Sequence, residues 1–241
     1  MLRKISKFLA IIVVLSFFNV NNSYSQTDNM NYKLGMVQLV TGDNVSAISY
    51  FTKAIDSNEN IIDAYYNRGI CYQKLGKIQK AIDDFGYVID KRPTMHQAFN
   101  NRGLLYYNEN ELLKAKADFS KSIEFNPSYP FTYLYRSNVY MKLELYPEAL
   151  LDAEKVLSYL SNYVNAHKNA AIASAKIKQY KKSLLHYNFL ITQSPSESDY
   201  YAQRGRVYAS MGDNKKACKD FKQSVALGSG ETKFEMQKAC E

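Results

Sequence analysis

The stretch AYYNRGICYQKLGKIQKAIDDFGYVIDKRP, residues 64–93, contains a pattern that recurs through most of the chain. The same residue types return 34 residues later, so that Phe85 is followed by Phe119 and Pro93 by Pro127. One small residue of the pattern occurs six times at that interval, at Gly35, Gly69, Gly103, Ser137, Ala171 and Gly205. The chain therefore contains six copies of one unit, and we number each copy so that this small residue is its eighth position.

Each copy consists of two amphipathic halves. Apolar or small residues lie three to four positions apart in each half, which is the spacing of one face of a helix. In the second copy these residues are Tyr65, Gly69, Tyr72, Ala81, Phe85 and Val88. A glycine on one helix lets an aromatic ring of the other approach closely, and neither face is fully buried until the next copy stacks on it. We therefore expect paired antiparallel helices and no β-sheet.

The unit resembles the tetratricopeptide repeat, which also has a 34-residue period. The resemblance covers roughly residues 28–231 and implies an all-α fold, a right-handed α-α superhelix (a solenoid) of six helix pairs. The expected domain has six tandem repeats within residues 26–228, divided at approximately 28–61, 62–95, 96–129, 130–163, 164–197 and 198–231. Residues 229–241 follow a helix-breaking Gly-Ser-Gly sequence and have a short amphipathic pattern, which predicts a C-terminal capping helix.

The start of the chain has the composition of an export signal. Arg3, Lys4 and Lys7 precede an apolar run over residues 8–18, and a polar stretch follows. This order predicts a signal peptide over residues 1–25, cleaved after Ser25. The apolar run is shorter than the roughly 20 residues needed to span a bilayer, so a retained membrane anchor is the weaker alternative. We expect an exported protein, periplasmic or secreted, without a membrane span in the mature chain.

The net charge argues against nucleic-acid binding. The formal charge of +8 falls to +5 when residues 1–25 are removed, because 28 Lys and Arg residues then face 23 acids. Such a small charge does not provide the concentrated basic face of a nucleic-acid binder, and an exported protein rarely meets nucleic acid.

Residues that could carry out catalysis are few. The histidines His96, His167 and His186 show no metal-ligand spacing, and the last two fall at repeat positions where other copies have aromatic residues or Asp. The neighbouring carboxylates of Asp83 and Asp84 leave a helix on different sides and cannot act together. We therefore expect no enzyme activity, no cofactor and no metal site.

Three cysteines remain, and two of them suggest a disulfide. Cys218 lies on the last second helix, and Cys240 lies on the capping segment that should fold back against it. An exported protein can oxidise such a pair, although two inert thiols are the alternative. Cys71 falls in the middle of a first helix, where we expect a small buried thiol.

Two charged positions occur together in four copies. Copies two, three, four and six have Arg at position seven and Asp at position 23, and copies one and five have neither. The pairs are Arg68 with Asp84, Arg102 with Asp118, Arg136 with Asp152, and Arg204 with Asp220. Because pairing within a repeat explains this co-occurrence, we predict four structural ion pairs that join the first helix to the second.

The family resemblance implies that the first helices line a concave groove. On this chain the implied peptide-binding residues are Tyr66, Asn67, Lys74, Asn100, Asn101, Tyr107, Asn108, Phe131, Tyr135, Asn138, Lys142, Lys168, Asn169 and Arg206. Basic residues outnumber acidic residues among the groove positions, and asparagine is frequent there. Because an amide can both donate to and accept from a peptide backbone, these asparagines suit an extended chain.

Two functions of different classes fit this groove. The first is a protein–protein interaction scaffold that binds an extended, acidic and partly apolar segment of an envelope partner. The alternative is a structural envelope component that binds an acidic glycan or a cell-wall polymer. The sequence does not identify the partner or the oligomeric state.

The fifth copy is the predicted weak point of the array. His167, Ala170, Ala171 and Ser174 replace the pattern of large residue, Gly and Tyr that other copies contain. Less apolar area is then buried, so we expect residues 164–190 to open first.

Overall fold

The computed structural model describes residues 30–57 and 61–241, and in these ranges the chain forms thirteen α-helices and no β-strand. The predicted signal peptide and its cleavage site lie outside the described residues. No helix in the described ranges has both the length and the apolar character needed to cross a bilayer.

The helices follow one another in pairs that match the six predicted copies. The first three pairs are α1 (Met30–Thr41) with α2 (Asn44–Asp56), α3 (Ile62–Lys74) with α4 (Ile78–Lys91), and α5 (His96–Asn108) with α6 (Leu112–Phe125). The next three are α7 (Pro130–Lys142) with α8 (Tyr146–Tyr159), α9 (Val164–Lys176) with α10 (Tyr180–Gln193), and α11 (Ser198–Ser210) with α12 (Asn214–Ala226). A final helix, α13 (Lys233–Cys240), follows them.

These helices form two compact units. The first unit contains α1 to α6 and ends at Phe125, and the second begins at Asn126 and contains α7 to α13. Within each unit every helix packs mainly on its neighbours in the chain. The predicted all-α class, with six helix pairs and a following helix, is confirmed.

Close approach of the two helices of a pair depends on matched side-chain sizes. A Cβ atom added to Gly103 would lie only 2.8 Å from Cε1 of Phe119, and the glycine at the same position of copies one, two and six is equally close to its phenylalanine. The fourth copy has Ser137 and Ala153 at these two positions, and the Ser137 hydroxyl donates to the backbone oxygen of Ala149 at 2.8 Å. A small residue on one helix is therefore combined with a fitting partner on the other.

The turn inside each pair uses left-handed backbone at one fixed position. Gly76 has a φ of 69° there, whereas Asn110, Glu144 and Lys178 have φ values of 60°, 58° and 60°. Left-handed backbone favours glycine because a side chain crowds the following carbonyl. The repeat geometry therefore fixes this conformation even where the residue does not favour it.

Candidate protein-binding surface

In the first unit, hydrogen bonds connect the first helices of successive repeats. The side-chain amide nitrogen of Asn67 on α3 donates to the hydroxyl oxygen of Tyr32 on α1 at 3.2 Å. One repeat later, the amide nitrogen of Asn101 on α5 donates to the hydroxyl oxygen of Tyr66 on α3 at 3.1 Å. The same tyrosine–asparagine link thus occurs twice, between equivalent positions.

For two of the predicted groove asparagines, Asn67 and Asn169, the N–H groups that were expected to donate to a ligand donate inside the fold. The Asn67 amide nitrogen also donates to the backbone oxygen of Asp63 at 2.9 Å, so both of its N–H groups are used within the fold. On α9 the amide nitrogen of Asn169 similarly donates to the Ser137 hydroxyl at 3.1 Å and to Oδ1 of Asn138 at 2.6 Å. Asn67 and Asn169 therefore connect adjacent repeats, and their free hydrogen-bonding capacity is that of an acceptor.

Partly exposed apolar side chains occupy one equivalent position of the first helices in the first unit. They are Met36, Ile70 and Leu104, which occupy position nine of the first three copies. Tyr107 is also partly exposed, and Lys74 and Asn108 are exposed near the ends of α3 and α5. We call this set, together with Tyr66, Asn67 and Asn101, the first-unit surface.

In the second unit, aromatic rings are grouped at the start of α7 and α9. The ring of Phe131 lies 5.6 Å from that of Tyr129 and 5.8 Å from that of Tyr163, both in edge-on arrangements. Burial raises the pKa of Tyr135, with further contributions from Tyr129 and Tyr163. Tyr129, Phe131 and Tyr163 therefore make up one partly exposed aromatic cluster, and Tyr135 lies four residues after Phe131 on α7.

Basic side chains lie farther along the helices of the second unit. Lys142 and Lys168 are exposed. The Lys168 ammonium lies 5.3 Å from the centre of the Tyr200 ring, within the range of a cation–π contact. Together with Asn138, Asn169 and the aromatic cluster, these lysines form the second-unit surface.

Two predicted groove residues have contacts inside the fold. Asn100 is only 8% exposed, because its side chain is packed inside the fold. Arg206 donates through Nε and Nη2 to the two carboxylate oxygens of Glu235 on α13, at 2.8 and 3.0 Å. Its guanidinium is therefore paired with a residue outside the repeats, and neither Asn100 nor Arg206 is included in the first-unit or second-unit surface.

The four arginine–aspartate pairs join the first and second helices of their repeats. Each arginine donates through Nε and Nη2 to both oxygens of its aspartate at 2.7 to 2.9 Å, for example Arg102 to Asp118. The remaining pairs are Arg68 with Asp84, Arg136 with Asp152 and Arg204 with Asp220. The hydrogen bonds that Arg102 donates to the Asp118 carboxylate raise the pKa of Arg102. The four aspartates are buried, so these pairs are part of the interior.

Aromatic rings on either side of these arginines were not anticipated. The Arg68 guanidinium carbon lies 5.2 Å from the Tyr65 ring centre and 5.7 Å from that of Tyr72. Arg102 lies similarly between Phe99 and Tyr106, at 6.0 and 5.8 Å. The sequence contained the signal, since positions four and 11 are aromatic in every copy that has the pair. A planar guanidinium suits such stacking better than a lysine ammonium does.

The fifth repeat has a pair of histidines in place of the ion pair. Nδ1 of His167 lies 2.9 Å from Nδ1 of His186, and Nε2 of His167 lies 2.9 Å from the backbone oxygen of Ser161. Because that oxygen can only accept, His167 carries its proton on Nε2, and neutral His167 accepts from the N–H of His186. Burial and the neighbouring His167 lower the pKa of His186 to about 4. The positions of these histidines in the repeat did not predict this mutual contact.

The last helix is held by a disulfide and by polar contacts. Cys218 on α12 and Cys240 on α13 are bonded, with their Cα atoms 5.0 Å apart, and Cys71 is a buried free cysteine. Thr232, just before α13, shares hydrogen bonds with Ser224 and Ser229. No residue of α13 itself is buried. The helix is therefore attached through its disulfide, its ion pair and the hydrogen bonds of Thr232.

The described residues contain no group of three or more His, Cys, Asp or Glu side chains that could hold a metal ion. What the two surfaces offer is hydrogen-bond acceptors, exposed lysines, aromatic rings and apolar side chains. These are groups that recognise another molecule.

Comparisons with known proteins agree with this architecture. The tetratricopeptide repeat family model matches residues 62–95, and a second model of that description matches residues 96–129 and 198–227. No curated protein sequence matches the chain.

Solved structures of the same fold are numerous. YrrB, described as a TPR protein with an unusual peptide-binding site, is 18% identical with a TM-score of 0.73, covering 78% of this chain and 97% of its own. MamA from Desulfovibrio magneticus RS-1 is 18% identical with a TM-score of 0.64, covering 70% and 96%. A tetratricopeptide repeat protein from Parabacteroides merdae is 19% identical with a TM-score of 0.57, covering 100% and 94%. At these identities the likeness shows the fold. The family models match three of the six copies, and together with the repeat pattern and the helix pairs they support a tetratricopeptide repeat protein.

Proposed function

We propose that this protein is a non-catalytic scaffold whose first helices bind an extended, acidic and partly apolar segment of a partner protein outside the cytoplasm. Tetratricopeptide repeat proteins are in general scaffolds that bind other proteins or peptides. The observation that carries the finer proposal is the repeated link from Tyr32 to Asn67 and from Tyr66 to Asn101. The link fixes partly exposed polar side chains at equivalent places in successive repeats.

The fixed asparagines present acceptors to a ligand backbone. Because both N–H groups of Asn67 are used inside the fold, its Oδ1 is the atom left for a ligand. An amide oxygen accepts a hydrogen bond from a peptide N–H, which every residue of an extended chain except proline provides. Side chains that are held before binding lose less rotamer entropy on binding, so such acceptors favour affinity.

Charge and apolar contacts supply the preference for an acidic, partly apolar segment. Lys74 and Lys168 are exposed on first helices, where they would attract carboxylates. Met36, Ile70 and Leu104 are partly exposed on the first helices of the first unit and would accept apolar side chains of a bound segment. The expected export signal in residues 1–25 supports an envelope partner. YrrB, which has a peptide-binding site, supports a peptide as the class of ligand.

A site-specific crosslinking experiment tests the surface. A photoreactive side chain is placed at Ile70 on α3, in protein comprising residues 26–241, and the protein is mixed with envelope extract. The matched control places the same group at Asp83, which is exposed on the second helix α4 of the same repeat. We expect a protein adduct from position 70 and little from position 83. Equal adducts, or none from position 70, would contradict the proposal.

Reversal of charge tests the acidic character of the partner. The double substitution Lys74→Glu and Lys168→Glu should lower capture at least about tenfold, and high salt should weaken capture by the unchanged protein. The control is Lys80→Glu with Lys181→Glu, two exposed lysines on second helices. Digestion of the extract with glycan hydrolases before capture distinguishes the proposed scaffold from the alternative, a component that binds a glycan or a cell-wall polymer. Such a polymer would be lost on digestion, whereas a protein partner would remain.

A further inference from the structure

The last helix, α13, forms one wall of a cavity beside the sixth repeat. A space of about 460 Å³ lies between α11, α12 and α13. Ligand sites in proteins typically have volumes of roughly 300 to 1,000 Å³, with mostly apolar walls and a few polar groups that fix orientation. This cavity is therefore large enough for a small organic molecule or for one side chain of a partner.

The walls combine an apolar floor with basic side chains. Phe221, only 2% exposed, and Ala209 contribute apolar surface. Arg206, Lys238 and Glu235 also line the space, so that two cations face one carboxylate. Lys238 is exposed and has no ion-pair partner among the described residues. The cavity consequently has a net charge of +1.

The contact between Arg206 and Glu235 shows which group this place accepts. Both carboxylate oxygens of Glu235 receive hydrogen bonds from the guanidinium, at 2.8 and 3.0 Å. The ion pair is only partly buried, since 41% of the Arg206 side chain and 31% of the Glu235 side chain are exposed. Glu235 therefore occupies a carboxylate position that is accessible to solvent.

Phe234 adds an apolar group that is not used in the fold. It precedes Glu235 on α13, lines the same cavity and is 74% exposed. An exposed aromatic ring at the edge of a cavity gives an apolar ligand a further contact. The disulfide from Cys218 to Cys240 keeps this wall in place, because it fastens the end of α13 to α12.

We propose that this cavity is a binding site for an apolar carboxylate, which exchanges with Glu235 at Arg206, is attracted by Lys238, and places its apolar part between Phe221 and Phe234. A small aromatic acid and the C-terminal carboxylate of a peptide share this chemistry. The site is separate from the two surfaces described above, and its existence does not depend on the proposed scaffold function.

Phenylacetate and an acetylated Gly-Ser-Leu-Phe peptide are the probes, with phenylacetamide and the amidated peptide as their neutral counterparts. Binding to the disulfide-bonded protein is followed by NMR chemical shifts of the backbone amides of α11 to α13. We expect at least one carboxylate probe to bind and its amide to bind much more weakly. Preference for phenylacetate indicates a small acid, and preference for the peptide indicates a chain end. Equal binding of acids and amides would overturn the proposal.

The substitution Glu235→Gln gives the sharpest result, because it removes the competing carboxylate and keeps the side-chain shape. Affinity for the carboxylate probe should rise about tenfold, since Arg206 is released and the local charge becomes more positive. A purely structural Glu235 would give no gain. Absence of binding to both the unchanged protein and this variant would overturn the site.

Two further variants locate the ligand. Lys238→Ala should weaken binding about threefold, because an exposed cation contributes modestly. Ala209→Phe should abolish binding by filling the cavity, whereas Ala117→Phe, at an exposed alanine on α6, should leave it unchanged. Unaltered binding to the Ala209→Phe protein would show that the ligand lies elsewhere and would also overturn the proposal.

Discussion

The third and fifth repeats join their two helices by different chemistry at the same place. In the third repeat, Arg102 and Asp118 form a two-fold hydrogen-bonded ion pair at 2.8 Å. In the fifth, the aspartate position is occupied by His186, which bonds to His167 at 2.9 Å. Both arrangements leave the buried polar atoms of the contact paired. What differs is the charge that the fold must keep in its interior.

Because of this difference, the stability of the two repeats depends on different conditions. A charged pair needs both partners, because a lone buried charge costs several kcal/mol. A neutral histidine pair instead needs its protonation state, which acid can change. The repeat geometry is therefore compatible with either pair. A repeat with the charged pair is sensitive to the loss of one partner, and the repeat with the histidine pair is sensitive to acid.

The largest effect should come from removing one partner of the charged pair. Arg102→Met leaves Asp118 buried without its cation and should cost about 3 to 5 kcal/mol in the free energy of unfolding. The double change with Asp118→Leu should cost clearly less, because no charge is then left buried. Equilibrium urea denaturation of both variants and of Asp118→Leu gives the coupling energy.

A neighbouring aspartate provides the control for this cycle. Asp83 is exposed on α4 and bonds to Gln79 at 2.8 Å. Asp83→Leu should therefore change the stability by less than about 0.5 kcal/mol. Additive losses for the Arg102 and Asp118 changes would contradict a mutual interaction.

A smaller effect is expected in the local stability of the fifth repeat. It has His167 and Ser174 at the two positions where the third repeat has Phe99 and Tyr106. The lost aromatic burial should lower the opening free energy of residues 164–190 by on the order of 1 to 3 kcal/mol. Native-state hydrogen exchange should therefore show earlier exchange in α9 and α10 than in α5 and α6. Uniform protection across the six repeats would contradict this prediction.

The smallest effect is expected on the stability of the fold at acidic pH. The pKa of His186 is about 4 in the fold, below the ordinary value of about 6.5, so protons bind preferentially to the unfolded chain. The histidine contribution to stability is therefore complete above about pH 6.5 and is lost as the pH falls toward about 4. We expect a loss on the order of 1 kcal/mol near pH 5. Thermal unfolding as a function of pH measures it.

The acid effect needs a comparison within the same repeat. The triple change His167→Tyr, Ala170→Arg and His186→Asp introduces the pattern of the other repeats and should remove the extra loss of melting temperature between neutral and mildly acidic pH. His186→Gln, which does not titrate, provides a second variant if the triple change does not fold. Glu154 and Lys182, which also influence His186 and pair with each other at 2.7 Å, remain unchanged in both. Equal pH profiles for all proteins would contradict the assignment to His186.

Features that repeat along the chain could be predicted from the sequence. The glycine at position eight and the co-occurring Arg102 and Asp118 appear in several copies, so comparison within one chain showed which residues belong together. The fold and its helix pairs followed from the same periodicity. Cys218 and Cys240 were paired because only two cysteines fell on neighbouring segments near the chain end.

Features that occur once, or that depend on side-chain direction, could not be predicted. The histidine pair appears in one repeat, so no second copy indicated it. Glu235 lies on α13, outside the repeats, and its contact with Arg206 has no equivalent elsewhere in the described chain. The amide of Asn67 was assigned to a ligand because its position in the repeat was known, whereas the direction of its N–H groups toward Tyr32 and Asp63 was not.

The matched sizes of the paired helices restrict how such a chain can gain or lose segments by recombination. Duplication of a whole 34-residue unit keeps Gly103 with Phe119 and Ser137 with Ala153. A crossover between the two helices of a unit would instead combine Ser137 with a phenylalanine, whose ring already lies 2.8 Å from the Cβ position of Gly103. The reciprocal product would place a glycine opposite alanine and leave an unfilled space. Whole units can therefore be exchanged while the interior stays filled, whereas half units can be exchanged only between copies that share the same pairing, such as copies one, two, three and six.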